Sequence, residues 1–151
     1  MSEFMGGVFS SGGLAGLEDV LRFSEARHRY LAENVANVDT PGYVRKDLPV
    51  EDFDNALRDA VKRSKKSSGE RMRLDLEPFF RPERTDTSGL GILRPLGSDS
   101  KAGVLRDDGN NVDIEREMAQ LNKNSGRLER TVSLMKKLLS QISNAMSERP
   151  R

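Results

Sequence analysis

His28 is the only histidine in this 151-residue sequence and the only side chain that ordinarily titrates near neutral pH. It would be the natural general base for acyl transfer or proton abstraction. His28 falls on the apolar seam of a helical pattern, however, which marks it as a packed or interface histidine, and no Ser-His-acid set assembles around it. Zero cysteines remove thiol nucleophiles, disulfides, thiolate zinc sites and iron–sulfur clusters. The oxygen-rich patch Asp107, Asp108, Asn110, Asn111 and Asp113 suggests calcium, but Gly109 misses the position that a calcium-loop register requires. The same residues read better as an Asp-Gly turn feeding a helix cap. No phosphate-loop, dinucleotide or zinc-protease signature is present. Catalytic, cofactor and metal residues are therefore all expected to be absent.

One further group could bind rather than react. Lys62, Arg63, Lys65, Lys66, Arg71 and Arg73, opposed by Glu70, form the basic run of the chain. Ser64, Ser67, Ser68 and Gly69 among them predict a solvated, flexible loop near 62–71 rather than a phosphate-binding patch. Formal net charge is only +1, so no long-range field draws nucleic acid or an anionic membrane. Partners must be recognised by shape and pattern.

The elements that would position these residues are divided by proline. Five of the six prolines fall between Pro41 and Pro95, and the sixth is Pro150. Because an interior proline removes a backbone donor and clashes with the preceding turn, the two proline-free arms are where long helices can run. In the first arm, Leu14, Leu17, Leu21, Ser24, His28, Leu31, Val35 and Val38 recur in alternating steps of three and four. In the second, Ile114, Met118, Leu121, Ser125, Leu128, Val132, Met135, Leu139, Ile142 and Met146 do the same. Both are coiled-coil seams.

Phe23 and Tyr30, and likewise Leu134 and Leu138, widen these seams and predict more than one packing partner for each helix. Asp113 is placed to cap the second helix, with Glu115 and Glu117 supplying negative charge to its first turn. A rod from Ile114 to Met146 is roughly 50 Å long, too long for one small domain to cover. Gly126 inside it marks either close approach of another backbone or a tolerated glycine. Between the arms, Asp52 to Val61 predicts a short amphipathic helix, and Arg71 to Glu77, with Met72, Leu74 and Leu76 on one side, predicts a strand.

The glycine-rich start predicts a mobile tail over residues 1–13. It carries no basic n-region followed by an apolar run, so no cleaved secretory signal is expected, and no segment approaches the length of a membrane span.

Two segments are more specific. Asn34-Val35-Ala36-Asn37-Val38-Asp39-Thr40-Pro41-Gly42-Tyr43 contains side chains able to bond backbone groups freed at a helix end, followed by a Pro-Gly pair suited to the centre of a type II turn. Tyr43 then presents an amphipathic ring to its surroundings. The segment closely resembles the N-terminal signature of bacterial flagellar rod and hook proteins, Asn-(Ile/Val)-Ala-Asn-x-x-Thr-Pro-Gly-Tyr, with every defining position present. Glu33 departs from it, since members often carry Asn there. The second segment, Asp108-Gly109-Asn110-Asn111-Val112-Asp113 running on to Met118, resembles the start of the C-terminal helix in one proximal-rod member of that family.

The expected fold is mainly α, with long N- and C-terminal helices over 14–39 and 112–147 paired as an antiparallel coiled coil and an irregular, partly β middle over 40–111. The resemblance implies an axial structural subunit of the basal-body rod that assembles helically and transmits motor torque for motility. The paired helices would form the inner tube and the middle would make outer contacts. It implies export through the flagellar type III apparatus into a rod spanning the periplasm, without insertion into the membrane. Its partners would be other copies, the export gate, the MS ring, FliE-like protein below and FlgC-like subunits above. Leu21, Leu31, Val35, Leu121, Leu128, Val132, Met135, Leu139 and Ile142 are the expected assembly seam. Asn34, Ala36, Asn37, Thr40, Pro41, Gly42 and Tyr43 set the turn, and Asp108 to Asp113 lead into the second helix. Two alternatives stand beside this reading: another rod subunit of the same family, FlgC-like, and a cytoplasmic coiled-coil adaptor whose basic loop touches nucleic acid.

Overall fold

The computed structural model describes residues 12–66, 74, 76, 79–82, 93–95, 98–99 and 105–147. Two long helices dominate: α1, Gly12–Ala36, and a second that closes the described chain, Ile114–Ser147. Between them, in chain order, lie β1 (Lys46–Asp47), α2 (Val50–Lys66), β2 (Phe80–Pro82), β3 (Leu93–Pro95) and β4 (Ser98–Asp99), so that the last helix is α3. β1 pairs antiparallel with β4, Lys46 opposite Asp99, and β2 pairs antiparallel with β3, Arg81 opposite Arg94. The chain is mostly helical, with its terminal helices packed on each other, as the two proline-free arms require.

Contacts across the pair fix its direction. Asn34 near the end of α1 meets Glu117 near the start of α3, Arg27 meets Gln120, and Ser24 meets Asn124. Residue numbers fall on one helix as they rise on the other, so the pairing is antiparallel. At that register Gly12 lies opposite the level of about Lys136, two-thirds of the way along α3, and the last turns of α3 run past the described start of α1.

An aromatic core sits on the other side of α1. Phe23 stacks on Phe53 of α2 with ring centroids 3.9 Å apart, and Phe79 meets both rings edge-on at 6.1 and 5.6 Å. Val20, Leu48, Ala60 and Leu74 complete the buried cluster, and Tyr30, Leu57 and Leu76 pack against it. Edge-to-face geometry suits the ring quadrupoles and adds to the burial of large apolar area. α1 therefore has two packing partners, α3 and α2, as the widened stripe at Phe23 and Tyr30 predicts.

Several boundaries differ from the sequence expectations. α1 begins at Gly12, inside the stretch expected as tail, and residues 1–11 lie outside the described residues. It ends at Ala36 rather than at position 39, because the next residues form turns: the Asn37 amide bonds back to the Glu33 and Asn34 carbonyls, and the Thr40 amide to the Asn37 carbonyl. α2 starts earlier and ends later than Asp52 to Val61, and it carries Lys62 through Lys66. The basic loop expected near 62–71 is thus helical over its first part, and 67–71 lie outside the described residues. Lysine and arginine are good helix formers, and an exposed i, i+3 pair between Lys62 and Asp59, 3.3 Å apart, lies along this turn. Of the strand expected over 71–77, Leu74 and Leu76 are described. Neither belongs to a strand, and both face the aromatic core.

Candidate functional site

The two sequence segments singled out above meet at one end of the helix pair and form a joint. Pro41 and Gly42 occupy the centre of a turn closed by the Tyr43 amide donating to the Thr40 carbonyl at 3.3 Å, and Gly42 has φ +72°. A positive φ at the third turn position is the type II requirement that glycine meets without steric cost. Gly109, at φ +78°, shapes the opposing Asp-Gly turn. The Gly42 amide donates to the Asp108 carbonyl at 2.8 Å, so the turns bond directly. A Cβ on Gly109 would lie 3.5 Å from the Gly42 Cα, an ordinary contact, so the backbone conformation rather than crowding is what demands glycine.

Asn110 fastens the joint. Its side-chain Nδ2 donates to three carbonyls, those of Asn37, Val38 and Thr40, at 2.8 to 3.1 Å, while its Oδ1 accepts from the Val112 amide at 2.7 Å. It is fully buried. One carboxamide from the second segment thus satisfies carbonyls that the end of α1 leaves without helical partners. Asn111 Oδ1 accepts from the Arg45 amide at 2.7 Å, Asn37 Nδ2 donates to the Glu33 carbonyl at 2.8 Å, and Asp113 Oδ1 accepts from the Arg116 amide at 3.2 Å as an N-cap. Asp107, Asp108 and their neighbours form the expected Asp-Gly turn: the Gly109 amide donates to the Arg106 carbonyl and the Asn110 amide to Asp108 Oδ1.

Asn34 acts differently from the helix-end role read from sequence. Its Oδ1 accepts from the Lys46 amide and the Tyr43 hydroxyl, both at 3.0 Å, and its Nδ2 donates to the Lys46 carbonyl and to Glu117 Oε2, at 2.7 and 2.8 Å. Every donor and both lone pairs of the carboxamide are used. Asn34 therefore reads the β1 backbone as a strand neighbour would, and it ties β1, the turn and α3 to α1.

Beneath it lies an ionic network that sequence reasoning did not find. Glu117, 0% exposed, accepts from Arg45 Nε through Oε1. Arg45 Nη2 also donates to Asp47 Oδ2 at 3.0 Å. Arg27 donates through Nε and Nη2 to the two oxygens of Asp47 at 2.8 and 3.0 Å, and through Nη2 to Gln120 Oε1 at 3.0 Å. Two guanidiniums and two carboxylates sum to zero, so no uncompensated charge is buried. Burial alone would push the Asp47 carboxyl up, but the hydrogen bond and charge of Arg27, with the Leu48 amide and Arg45, hold it below its ordinary 3.8. Burial likewise works against the Arg45 charge and is outweighed by Glu117 and Asp47, leaving its pKa raised. Tyr43 is raised above 10.0, first by burial and then by the Glu33 charge. Glu33, the departure from the signature, pairs with Lys46 Nζ at 2.8 Å where both are partly exposed, a contact worth about 0–1 kcal/mol.

The face that α3 turns to α1 continues this polar character. Glu117, Asn124 and Thr131, seven apart, are its buried residues. Asn124 Nδ2 donates to the Ser24 carbonyl at 2.8 Å and Thr131 Oγ1 to the Arg127 carbonyl at 2.8 Å. Arg127 reaches across to Asp54 of α2 at 2.7 Å and lies over the Phe53 ring. On α1 the matching buried positions are Ser24, Arg27, Leu31 and Asn34. Of the expected seam, Leu31 is buried, Leu21, Val35, Leu121, Leu128, Val132 and Met135 are half-buried, and Leu139 and Ile142 are exposed. Ile114, Met118, Leu134 and Met146 are exposed as well, Met146 by 74%. Among the described residues Gly126 approaches no other backbone, only the Arg130 side chain. The signal that could have located the inner face was the polar seven-residue repeat of Glu117, Asn124 and Thr131, which lies one position off the apolar repeat of Met118, Ser125 and Val132.

An open cleft of about 950 Å³ between α2 and α3 is lined by Arg27, Asp47, Asp54 and Arg127, already bonded to one another in pairs, and by Arg58 and Lys123. It contains no nucleophile with a neighbouring base. His28 is half-buried outside it, its Nδ1 buried without a hydrogen-bond partner among the described residues. Among those residues no cluster of His, Asp or Glu is arranged to hold a metal ion, and no helix is long and apolar enough to cross a membrane.

No protein-family model matches the chain. Among curated proteins it is similar to the flagellar basal body rod protein FlgB of Salmonella typhimurium, 25% identical over 130 residues that cover 85% of this chain and 88% of that one. It is 24% identical to FlgB of Bacillus subtilis over 137 residues, 91% and 95% of the two chains. With FlgB of Aeromonas hydrophila it shares 29% over 121 residues, 80% and 81%.

Proposed function

We propose that this chain is a FlgB-like structural subunit of the bacterial flagellar basal-body rod and that it catalyses nothing. The observation that carries this reading is the arrangement of α3, whose polar stripe is bonded to the chain's own α1 while Ile114, Met118, Leu139, Ile142 and Met146 of its apolar rows are left exposed. Similarity to FlgB proteins along nearly the whole of both chains supports it. Copies of this chain and other axial proteins would cover that row as the subunits stack helically. Leu121, Leu128, Val132, Met135, Leu139 and Ile142, with Leu21 and Val35 of α1, would then become buried between neighbours.

In this reading the terminal helices line the inner tube and the middle of the chain faces outward. The joint between Asn34–Tyr43 and Asp108–Asp113 holds the two parts at a fixed angle. Torque passes through the subunit as shear between α1 and α3, which buried hydrogen bonds and paired charges resist better than a greasy seam that can slip. The subunit reaches the periplasmic rod through the flagellar type III apparatus, next to the export gate, the MS ring and a FliE-like protein, with FlgC-like subunits above.

Mass spectrometry of purified hook–basal bodies, combined with crosslinking, tests this. The expected result is the chain in the rod, crosslinked to the FliE-like protein and the export gate. Its absence from clean basal bodies would reject the assignment, and crosslinks confined to distal rod subunits would move it up the rod.

A further inference from the structure

The stripe by which α3 packs on α1 is built from the less apolar of the residues available to it. We propose that the buried polar pair Glu117 and Asn124, one heptad apart and read by Asn34, Arg45 and the Ser24 carbonyl, is a register lock: it selects one antiparallel alignment of the terminal helices and rejects the others, at no gain in stability over an apolar seam. The inference concerns the single chain and stands independently of the rod assignment.

The reason lies in the sequence of α3 itself. Its apolar positions repeat every seven residues almost without variation: Ile114, Leu121, Leu128, Met135 and Ile142 in one row, Met118, Ser125, Val132, Leu139 and Met146 in the other. A helix so patterned presents nearly the same surface after sliding by one heptad, so apolar packing alone leaves several alignments close in energy. The polar repeat is not degenerate. Slid by one heptad, Asn124 replaces Glu117 opposite Arg45 and Asn34, and the Arg45 guanidinium, nearly all of it buried, loses the Glu117 carboxylate and is left to share Asp47 with Arg27. Glu117, sliding the other way, is carried off Arg45 toward the level of Ser24 and Arg27 and enters the seam without the Asn34 carboxamide. A buried charge without its partner is far more costly than an imperfect apolar contact, whereas replacing both partners by apolar groups of similar volume is often neutral or stabilising. A single buried polar residue that fixes coiled-coil register is the best-attested use of such groups.

The native sequence has no cysteine, so spin labels can be attached at Glu25→Cys and Asn122→Cys, both exposed and at nearly the same level of the pair. The full-length labelled chain, diluted into unlabelled chain so that only intramolecular distances are read, is measured by pulsed electron–electron resonance and its mass by light scattering. The native seam should give one narrow distance. Glu117→Leu with Arg45→Met should keep the helicity and thermal midpoint of the parent, yet spread the distances into two or more populations, longer because the two labelled levels have moved about 10 Å apart along the axis, one heptad of helix, or form exchanged dimers. Asn124→Leu, which removes a single hydrogen bond and no charge, should broaden the distribution to a smaller degree and serves as the reading if the double variant unfolds. One narrow native distance in both variants would overturn the lock, as would a broad distribution in the parent chain.

Discussion

The two halves of α3 contrast sharply. From Ile114 to Thr131 the helix is bonded across to the rest of the chain: Glu117 to Arg45 and Asn34, Gln120 to Arg27, Asn124 to Ser24, Arg127 to Asp54. From Leu134 to Ser147 the described structure has no buried residue on it, and Leu134, Leu139, Ile142 and Met146 are exposed. The same seven-residue apolar repeat runs through both halves. What differs is the polar repeat beside it, which stops at Thr131. The bonded half shows that the inner contacts of this chain are specified by hydrogen bonds and paired charges. On the open half the apolar pattern runs on, and none of the described residues buries it.

The largest expected effect is therefore in the bonded half. Glu117→Ala leaves two buried guanidiniums, Arg45 and Arg27, sharing the single carboxylate of Asp47 and should cost about 3–5 kcal/mol of stability, read as a fall in the denaturant midpoint of the full-length chain. A change below 1 kcal/mol would mean that the network relaxes onto water and does not hold the joint. Asn110→Ala comes next: three carbonyls at the end of α1 lose one shared donor, and a loss of about 1–3 kcal/mol is expected. The diagnostic feature is that the loss should fall equally on the amides of both turns in hydrogen exchange, since the one carboxamide couples them.

Much of this contrast was legible before any coordinates. The proline-free arms gave the long helices, the three-and-four spacing gave their pairing, and the Pro41-Gly42 and Asp108-Gly109 turns were readable because glycine and proline act on the backbone locally. The inner face was misread, and its one trace in the sequence is the polar seven-residue repeat. Heptad reasoning assigns the buried stripe to the apolar residues, and here the buried stripe of α3 is Glu117, Asn124 and Thr131. Thr131 bonds back to its own helix, but Glu117 and Asn124 become tolerable inside only because Arg45, Asn34 and Ser24, distant in sequence, supply partners, and no local pattern announces such pairing. Asn34 is the sharpest case. Two residues from the end of α1 it looks like a cap, yet all its side-chain bonds go to Lys46, Tyr43 and Glu117 once the turn brings β1 back against α1.

Acid should weaken the bonded half alone. The Asp47 carboxyl lies below its ordinary 3.8 in the folded chain, so the unfolded chain takes up the proton first as pH falls. Its contribution is fully present above that unfolded value and is lost as pH drops through the lower folded one. Melting midpoints should be level above about pH 5 and decline below about pH 4, and Asp47→Asn should lower the plateau and flatten that part of the decline. A decline just as steep in Asp47→Asn would assign it to other carboxylates.

The smallest effect on the isolated chain is expected from Leu139→Asp. The side chain is 50% exposed on the open half, so the substitution should move the unfolding midpoint by no more than about 0.5 kcal/mol. Under the rod reading it should nonetheless remove the chain from purified basal bodies and abolish swimming, because a neighbour would have to bury an unpaired carboxylate against its own apolar surface. The two measurements together separate the halves of α3 in a way neither does alone. Glu117→Ala should fail in both, through folding, whereas Leu139→Asp should fail only in assembly. If Leu139→Asp instead lowers the stability of the monomer as much as Asn110→Ala does, the open half is packed on something within its own chain. The division of α3 into an inner polar half and an outer apolar one would then have to be abandoned.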